Sequence, residues 1–235
     1  MIIGIVGKSG SGKDTAAGFV PGAKRFSFAD PLKKFAGEVF DWSEETLYGS
    51  SELRNVPDKR YPRGPCTACF GGPHSYAYGP SGKCSRCEGA GIEYLTPRYA
   101  LQTLGTEWGR SCFADTWAVL GVRKAKEWRE QVTHEYGCPR DGEWVEWACD
   151  HRCPSIAVFS DCRFVNEATA IRAAGGVVWR IVRPGVGAAS SHPSETEQDS
   201  PEMERLIDWT VKNTGSLDVL KSRVLEAFAA CRMTP

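Results

Sequence analysis

Residues 1–15 read Met-Ile-Ile-Gly-Ile-Val-Gly-Lys-Ser-Gly-Ser-Gly-Lys-Asp-Thr. A continuous apolar run, Ile2–Val6, leads straight into a glycine-rich stretch of the form Gly7-x4-Gly12-Lys13. An apolar run without alternation suits a central parallel strand, because both of its faces are buried. Glycines at 7, 10 and 12 let backbone N–H groups converge on phosphate oxygens. A helix starting at Lys13 or Asp14 and running toward Phe19 adds a partial positive charge. Gly7, Lys8, Gly10, Ser11, Gly12 and Lys13 thus form a cradle for the phosphates of a nucleoside triphosphate, ATP, with Lys13 bridging the β- and γ-phosphates. Thr15 or Asp14 is expected to meet Mg2+, directly or through water. Asp14 stands where Ser or Thr is usual.

Downstream, strand and helix signals alternate. Arg25–Ala29 alternates and suggests a second short strand, and Asp30 with Pro31 makes a helix start for an apolar stripe at Leu32, Phe35, Ala36 and Val39. Thr96-Pro97 opens another helix, with Tyr99, Leu101, Leu104 and Trp108 on related faces, and Asp115–Trp128 reads as a further one. Trp144–Trp147 reads as one arm of a hairpin. Ser155–Ser160 is a second strongly buried strand, followed by a helix over Asn166–Ala174 that Gly175-Gly176 stops. Val177–Val182 and Trp209–Val211 read as strands, and Leu217–Ala230, capped by Ser216, as the closing helix. Strands alternating with helices imply an α/β fold, a parallel sheet of the P-loop NTPase type with helices on both faces. With 235 residues, 41% of them hydrophobic, the chain suffices for one such core and a small insert.

Formal charges balance at 29 basic and 29 acidic residues, so the total favours neither nucleic acid nor a membrane surface as partner. No apolar run reaches transmembrane length, and the N-terminus lacks a signal peptide's basic flank. The expectation is a cytoplasmic protein. In that compartment ten cysteines point to metal ligands rather than disulfides.

The Gly-Lys-Asp-Thr ending of the loop resembles the deoxynucleoside monophosphate kinases of tailed bacteriophages, and also some phosphomevalonate kinases. Three further segments resemble the phage family: Phe26-Ser-Phe-Ala-Asp-Pro-Leu-Lys33, Leu101-Gln-Thr-Leu-Gly-Thr-Glu-Trp-Gly-Arg110 and Asp161-Cys-Arg-Phe-Val-Asn-Glu167. The likeness extends to Gly175–Pro184 and to His192-Pro-Ser-Glu195, and covers most of residues 1–58 and 96–230. It implies transfer of the ATP γ-phosphate to a deoxynucleoside 5′-monophosphate, in the host cytoplasm if the chain is phage-encoded. The attacking phosphate oxygen is already anionic near neutral pH, so such a site needs cations rather than a general base. The candidates are Lys13, Lys33, Arg98, Arg110, Arg163 and Arg183, arginine being suited to bidentate phosphate contacts. Arg163 lies just past the carboxyl end of a buried strand, where ligands bind in open α/β sheets. Asp161 either holds magnesium through water or orients Arg163. Glu107 either contacts the sugar or base or orders Arg110 across a helical turn. Within the matching motifs, Thr106, Asn166 and Glu167 join the expected acceptor-binding set. Asn213, after the last strand, either borders the adenine of ATP or caps a turn. Lys13, Asp161, Arg163 and Arg110 are the expected catalytic residues.

Residues 59–95 stand apart. Cys66-Thr-Ala-Cys69 and Cys84-Ser-Arg-Cys87 are two Cys-x2-Cys knuckles with 14 residues between them, the spacing of a tetrahedral four-cysteine zinc site with no position open for a catalytic water. Each is followed by glycines, as in chaperone-type zinc modules. Lys59, Arg60, Arg63, Lys83 and Arg86 face a single acid, Glu88, over residues 59–89. The expectation is a zinc-stapled lid or flap, inserted into a core of residues 1–58 and 96–235 and closing over the phosphates, with metal supplying its folding energy. Cys138, Cys149, His151 and Cys153, with His134 nearby, form a second candidate zinc site across the Trp144–Trp147 hairpin.

Two other functions compete. One is a P-loop kinase of another small acceptor, dephospho-CoA or a phosphomevalonate-like compound. The other is a zinc-bearing, nucleic-acid-dependent ATPase, disfavoured by the neutral total charge. The accepted bases and the oligomeric state, a homodimer included, are open from sequence.

Overall fold

A computed structural model describes residues 1–50, 52–69, 84, 87, 89–135, 138–140, 143–145, 155–186 and 196–233. In chain order the elements are β1 (Ile2–Val6), α1 (Lys13–Gly18), β2 (Ala23–Phe26), α2 (Asp30–Phe40), α3 (Glu44–Tyr48), β3 (Asp58–Pro65), β4 (Ile92–Leu95) and α4 (Pro97–Gln102). A π-helix (Thr103–Arg110) and α5 (Thr116–Glu135) follow, then β5 (Cys138–Arg140), β6 (Glu143–Val145), β7 (Ile156–Phe159), α6 (Val165–Ala173), β8 (Val177–Val182), α7 (Pro201–Glu204), β9 (Trp209–Lys212) and α8 (Leu217–Met233). Among the described residues, no helix is long and apolar enough to cross a membrane.

The main sheet has five strands in the order β2-β7-β1-β8-β9, all parallel. Every residue of β1 and β7 is buried, which explains why neither alternates in sequence. The pleat sends successive side chains to opposite faces. Ile3, Ile5, Ile156, Val158, Trp179 and Ile181 join one core with Ala16 and Ala17 of α1 and Leu220, Val224 and Phe228 of α8. Ile2, Val6, Ala157, Phe159 and Val178 join the other, with Val122 of α5, Ala168 and Ile171 of α6 and Met203 of α7. The expected α/β fold with helices on both faces is what the chain adopts.

Contacts divide the chain into two compact units, residues 1–30 with 113–235, and residues 31–112. The first holds the parallel sheet. The second contains α2 from Pro31 onward, α3, the antiparallel pair β3–β4, α4 and the π-helix. Its apolar centre is Ala36, Trp42, Leu47 and Ala100.

Three elements differ from expectation. The second strand ends at Phe26 rather than Ala29, because the Asp161 carboxylate takes the N–H groups of Phe28 and Ala29 at 3.1 and 3.2 Å and draws the chain into a turn. The helix capped by Thr96, whose hydroxyl accepts from Tyr99 N, is α-helical only through Gln102. It then widens into the π form over Thr103–Arg110, with Gly105 and Gly109 buried. A Cβ on Gly105 would stand 3.2 Å from Leu32 Cδ1, so the wider coil lies close against α2. The arm expected at Trp144 is β6, paired antiparallel with β5, while Trp147 lies outside the described residues.

Candidate functional site

The loop between β1 and α1 is held by its own lysine. Lys13, buried, donates from Nζ to the carbonyls of Gly7 at 2.5 Å and Lys8 at 2.8 Å. Gly12 adopts φ 97°, a left-handed conformation that glycine enters without strain, and a Cβ there would lie 2.6 Å from Asn213 Nδ2. A Cβ on Gly7 would meet Ile181 O at 2.5 Å. Asn213, just past β9, donates from Nδ2 to Ser11 O at 2.9 Å, and its own N–H reaches Val182 O at 2.7 Å. Asn213 therefore fastens the loop to the last strands. Ser11 Oγ is buried and, among the described residues, has no hydrogen-bond partner. Beside the loop is a cavity of about 260 Å3 whose lining includes Gly7, Lys8, Ser11, Arg180 and Arg183. Lys8 pairs with Asp199 at 2.5 Å across its rim.

The residues after β7 stand next to this loop, since β7 is the parallel neighbour of β1. Ser160 Oγ donates to Asp14 Oδ1 at 2.6 Å. The Asp161 carboxylate accepts from Ser27 Oγ at 2.5 Å as well as from Phe28 N and Ala29 N. Glu167 is buried, and its carboxylate accepts from Arg163 N at 2.8 Å and Phe164 N at 3.1 Å, closing the start of α6. Asn166 Nδ2 donates to Ala114 O and to Asp115 Oδ1. Burial pushes the thiol of Cys162, between Asp161 and Arg163, well above its ordinary range, and the Glu167 and Asp161 carboxylates add to that. It packs as a core side chain. Thr15 is exposed, Arg163 is half-buried and Arg183 is exposed just past β8.

One edge of the first unit thus gathers the loop residues 7–15, Asp161, Arg163, Arg183 and Asn213. The remaining candidates belong to the second unit. Lys33 lies over the ring of Tyr48, 4.2 Å from its centroid. Arg98 Nε donates to Asn55 Oδ1 at 2.7 Å. Thr106 and Glu107 are exposed on the π-helix and Arg110 is half-buried at its end. Ser160 and Ser27 escaped the sequence reading. Each is joined to its carboxylate over more than 130 residues of chain, and a lone serine carries no local signal of that.

In the second unit, one sulfur from each of Cys66, Cys69, Cys84 and Cys87 lies within 4.8 Å of all the others. Cys66 and Cys84 are 3.8 Å apart and Cys69 and Cys87 3.5 Å. A tetrahedron with Zn–S bonds of about 2.3 Å has S···S edges of about 3.8 Å, so these thiols fit zinc in size as well as chemistry. Burial opposes ionisation of Cys87, but hydrogen bonds from the backbone of Gly91, from the Cys69 thiol and from the backbone of Gly89 bring its pKa down to about 7. The same pairing with Cys87 pushes Cys69 up to about 12. Cys66 N donates to Gly91 O at 2.8 Å and tethers the first knuckle to the second. Of the second candidate cluster, Cys149, His151 and Cys153 lie outside the described residues, as do the side chains of Cys138 and His134.

For the metal of a triphosphate, the loop offers the Asp14 carboxylate and the Thr15 hydroxyl. Such hard oxygen donors fit Mg2+.

No family model matches the sequence. A protein of Acanthamoeba polyphaga mimivirus that bears the name "Putative deoxynucleotide monophosphate kinase" is 32% identical over 228 residues, 96% of this chain and 94% of that protein. The match runs through both compact units, from the phosphate loop to the closing helix, and so the chain belongs to the deoxynucleotide monophosphate kinase family.

Proposed function

We propose that the protein transfers the γ-phosphate of ATP to a deoxynucleoside 5′-monophosphate, giving the diphosphate and ADP. The observation that carries this reading is the meeting, at one carboxyl edge of the parallel sheet, of a lysine-bearing glycine loop with Asp161, Arg163 and Arg183, in a chain of this family. That edge is where open α/β sheets bind ligands. An oxygen of the acceptor phosphate attacks the γ-phosphorus, and the bond to the β–γ bridging oxygen breaks. No proton has to be removed, so the chain's task is to hold two polyanions in line and neutralise them.

Gly7, Lys8, Gly10, Ser11 and Gly12 cradle the ATP phosphates, and Lys13 follows the charge as it moves to the departing β-phosphate. Asp14 and Thr15 are the residues that would hold Mg2+, which when bound would supply charge neutralisation to the triphosphate. Arg163 stabilises the transferring group. Asp161 acts by fixing the Ser27–Ala29 turn from which α2 begins. Arg183 contributes a further phosphate cation, and Asn213 borders the adenine. In the second unit Lys33, Arg98, Thr106, Glu107 and Arg110 hold the acceptor nucleotide. Asn166 and Glu167 support the segment that carries Arg163. Residues 59–95 form a zinc-stapled flap inserted into the kinase core of residues 1–58 and 96–235, with Cys66, Cys69, Cys84 and Cys87 as the ligands. Zinc held by these four thiolates would close a segment with little apolar core of its own and supply folding energy to it.

The test is direct. The purified chain is given ATP, Mg2+ and each of the four common deoxynucleoside monophosphates in turn, and products are separated by ion exchange. Formation of a diphosphate from at least one of them is the expected result. ATP turnover that requires DNA, with no diphosphate from any acceptor, refutes the proposal.

A further inference from the structure

In P-loop proteins generally, the residue following the loop lysine is Ser or Thr, and it holds Mg2+ together with an Asp from the end of a neighbouring strand. This chain has the same two chemical groups at the two places, but reversed. Asp14 follows Lys13, and Ser160 is the residue that follows β7, the parallel neighbour of β1. The two side chains are bonded, Ser160 Oγ donating to Asp14 Oδ1 at 2.6 Å. We infer that Asp14 and Ser160 are an exchanged pair, in which the loop supplies the carboxylate ligand of magnesium and the strand end supplies the hydroxyl that orients it. This rests on the triphosphate reading of the loop.

The neighbouring acids support the assignment by being committed elsewhere. Both oxygens of Asp161 accept from the turn at residues 27–29. Glu167 is buried and accepts from two backbone N–H groups at the start of α6. Asp14 is exposed, and among the described residues its Oδ2 takes no hydrogen bond. The single proton of Ser160 is spent on Oδ1, which fixes the carboxylate plane and leaves Oδ2 to the metal. Exchange also preserves the charge balance of the site. These two positions together hold one carboxylate and one hydroxyl, as in the usual arrangement, so the pair brings the same charge to a triphosphate whichever position carries the acid.

The pair makes a prediction about the metal that does not depend on turnover. Mn2+, an EPR-visible substitute for Mg2+, is titrated into the full chain with the non-hydrolysable analogue AMP-PNP. Asp14→Asn keeps the acceptor for Ser160 but removes the charge. It is expected to weaken Mn2+ binding in the ternary complex by at least about 10-fold, while metal-free AMP-PNP binding, read by calorimetry, does not weaken. Ser160→Ala deletes only the orienting hydroxyl and is expected to cost roughly 10-fold. The decisive variant is the double exchange Asp14→Ser/Ser160→Asp, which restores the usual order and should bind Mn2+ more tightly than either single exchange alone. Thermal melting of each variant, and the independent Ser160→Ala result, keep a misfolded variant from being read as support. Asp14→Asn and Ser160→Ala both binding Mn2+ within about twofold of the parent, or a double exchange no better than Asp14→Ser, overturns the assignment. If the parent chain itself binds no AMP-PNP, the triphosphate reading falls with it. If the parent binds and the variants match it, only the exchanged pair falls.

Discussion

Asp161→Asn should destabilise the first unit more than its half-exposed position suggests. The carboxylate accepts three hydrogen bonds, from Ser27 Oγ at 2.5 Å and Ala29 N at 3.2 Å on Oδ2, and from Phe28 N at 3.1 Å on Oδ1. An amide offers one acceptor oxygen instead of two. With that oxygen toward Phe28 N, its NH2 faces the Ala29 N–H, which retains only Ser27 Oγ at 3.1 Å. With the amide reversed, Phe28 N–H loses its acceptor outright. Phe28 is buried and stacked on Phe159 at 4.4 Å, so its backbone has little freedom to find another. Hydrogen bonds to charged acceptors contribute about 1.5–3 kcal/mol each. The better amide orientation loses one of these and weakens a second, a cost of about 2–4 kcal/mol, equivalent to roughly 6–12 °C in Tm for a chain of this size. Circular dichroism melts read this directly. Ser27→Ala should cost about 1 kcal/mol alone, and the double variant should fall short of the sum, since the Ser27 hydroxyl and the Asp161 carboxylate are partners in one bond that the amide weakens. An Asp161→Asn variant that melts within 1 °C of the parent (~0.3 kcal/mol), or effects that simply add, would refute the reasoning.

Gly12→Ala forces a β-carbon into a left-handed residue and onto Asn213 Nδ2, so it should cost more than about 1 kcal/mol and weaken AMP-PNP binding, measured by melting and calorimetry. Cys84→Ser should lower the zinc content by one ion per chain, by elemental analysis, and open the β3–β4 segment to proteolysis; an unchanged content would remove Cys84 from the ligand set. Asp58 accepts from Arg60, with Trp42 Nε1 also donating at 2.7 Å, and these hold its carboxyl well below the usual range against the opposing effect of burial. A depressed carboxylate pKa gives stability that is present above the unfolded value and is lost as pH falls toward the folded one. The Tm gap between the parent and Asp58→Asn should therefore be widest near neutral pH and close in acid, and a gap that widens in acid would contradict the assignment.

The elements legible in sequence are those whose cause is local. β1 and β8 carry the expected ends, and β7 differs by a residue at each; β1 and β7 read as unbroken apolar runs because a strand buried on both faces must be apolar at every position. The cysteine knuckles were legible because two residues of separation fix each pair, and the phosphate loop because its glycines and lysine are contiguous. What stayed hidden has distant causes. The end of β2 is decided by a carboxylate more than 130 residues away. The widening at Thr103 accompanies the close packing of Gly105 on Leu32, across some 70 residues of chain. The β3–β4 pair shifts register twice between Asp58 and Gly64, an irregularity that no alternation of apolar residues announces. In the same way, no pattern in the sequence joins Ser160 to Asp14.

These long-range bonds lie along one edge of the sheet. Asp161 after β7 holds Ser27 after β2, and Ser160 after β7 holds Asp14 after β1. Asn213 after β9 reaches both Ser11 in the β1 loop and Val182 at the end of β8. In the strand order β2-β7-β1-β8-β9, the links connect every neighbouring strand end except β1 and β8, which Asn213 joins from the far side. Each bond contributes only about 1–3 kcal/mol, yet together they tie the carboxyl ends of all five strands at the edge where the proposed phosphoryl transfer needs atoms held to a fraction of an ångström. In two of these links a serine hydroxyl donates to a carboxylate, which holds the acid in place without bringing a further charge. On the proposed reading the cations Lys13, Arg163 and Arg183 carry the electrostatics, and Ser27 and Ser160, neither of which stands out in sequence, fix the carboxylates of Asp161 and Asp14 on the same edge.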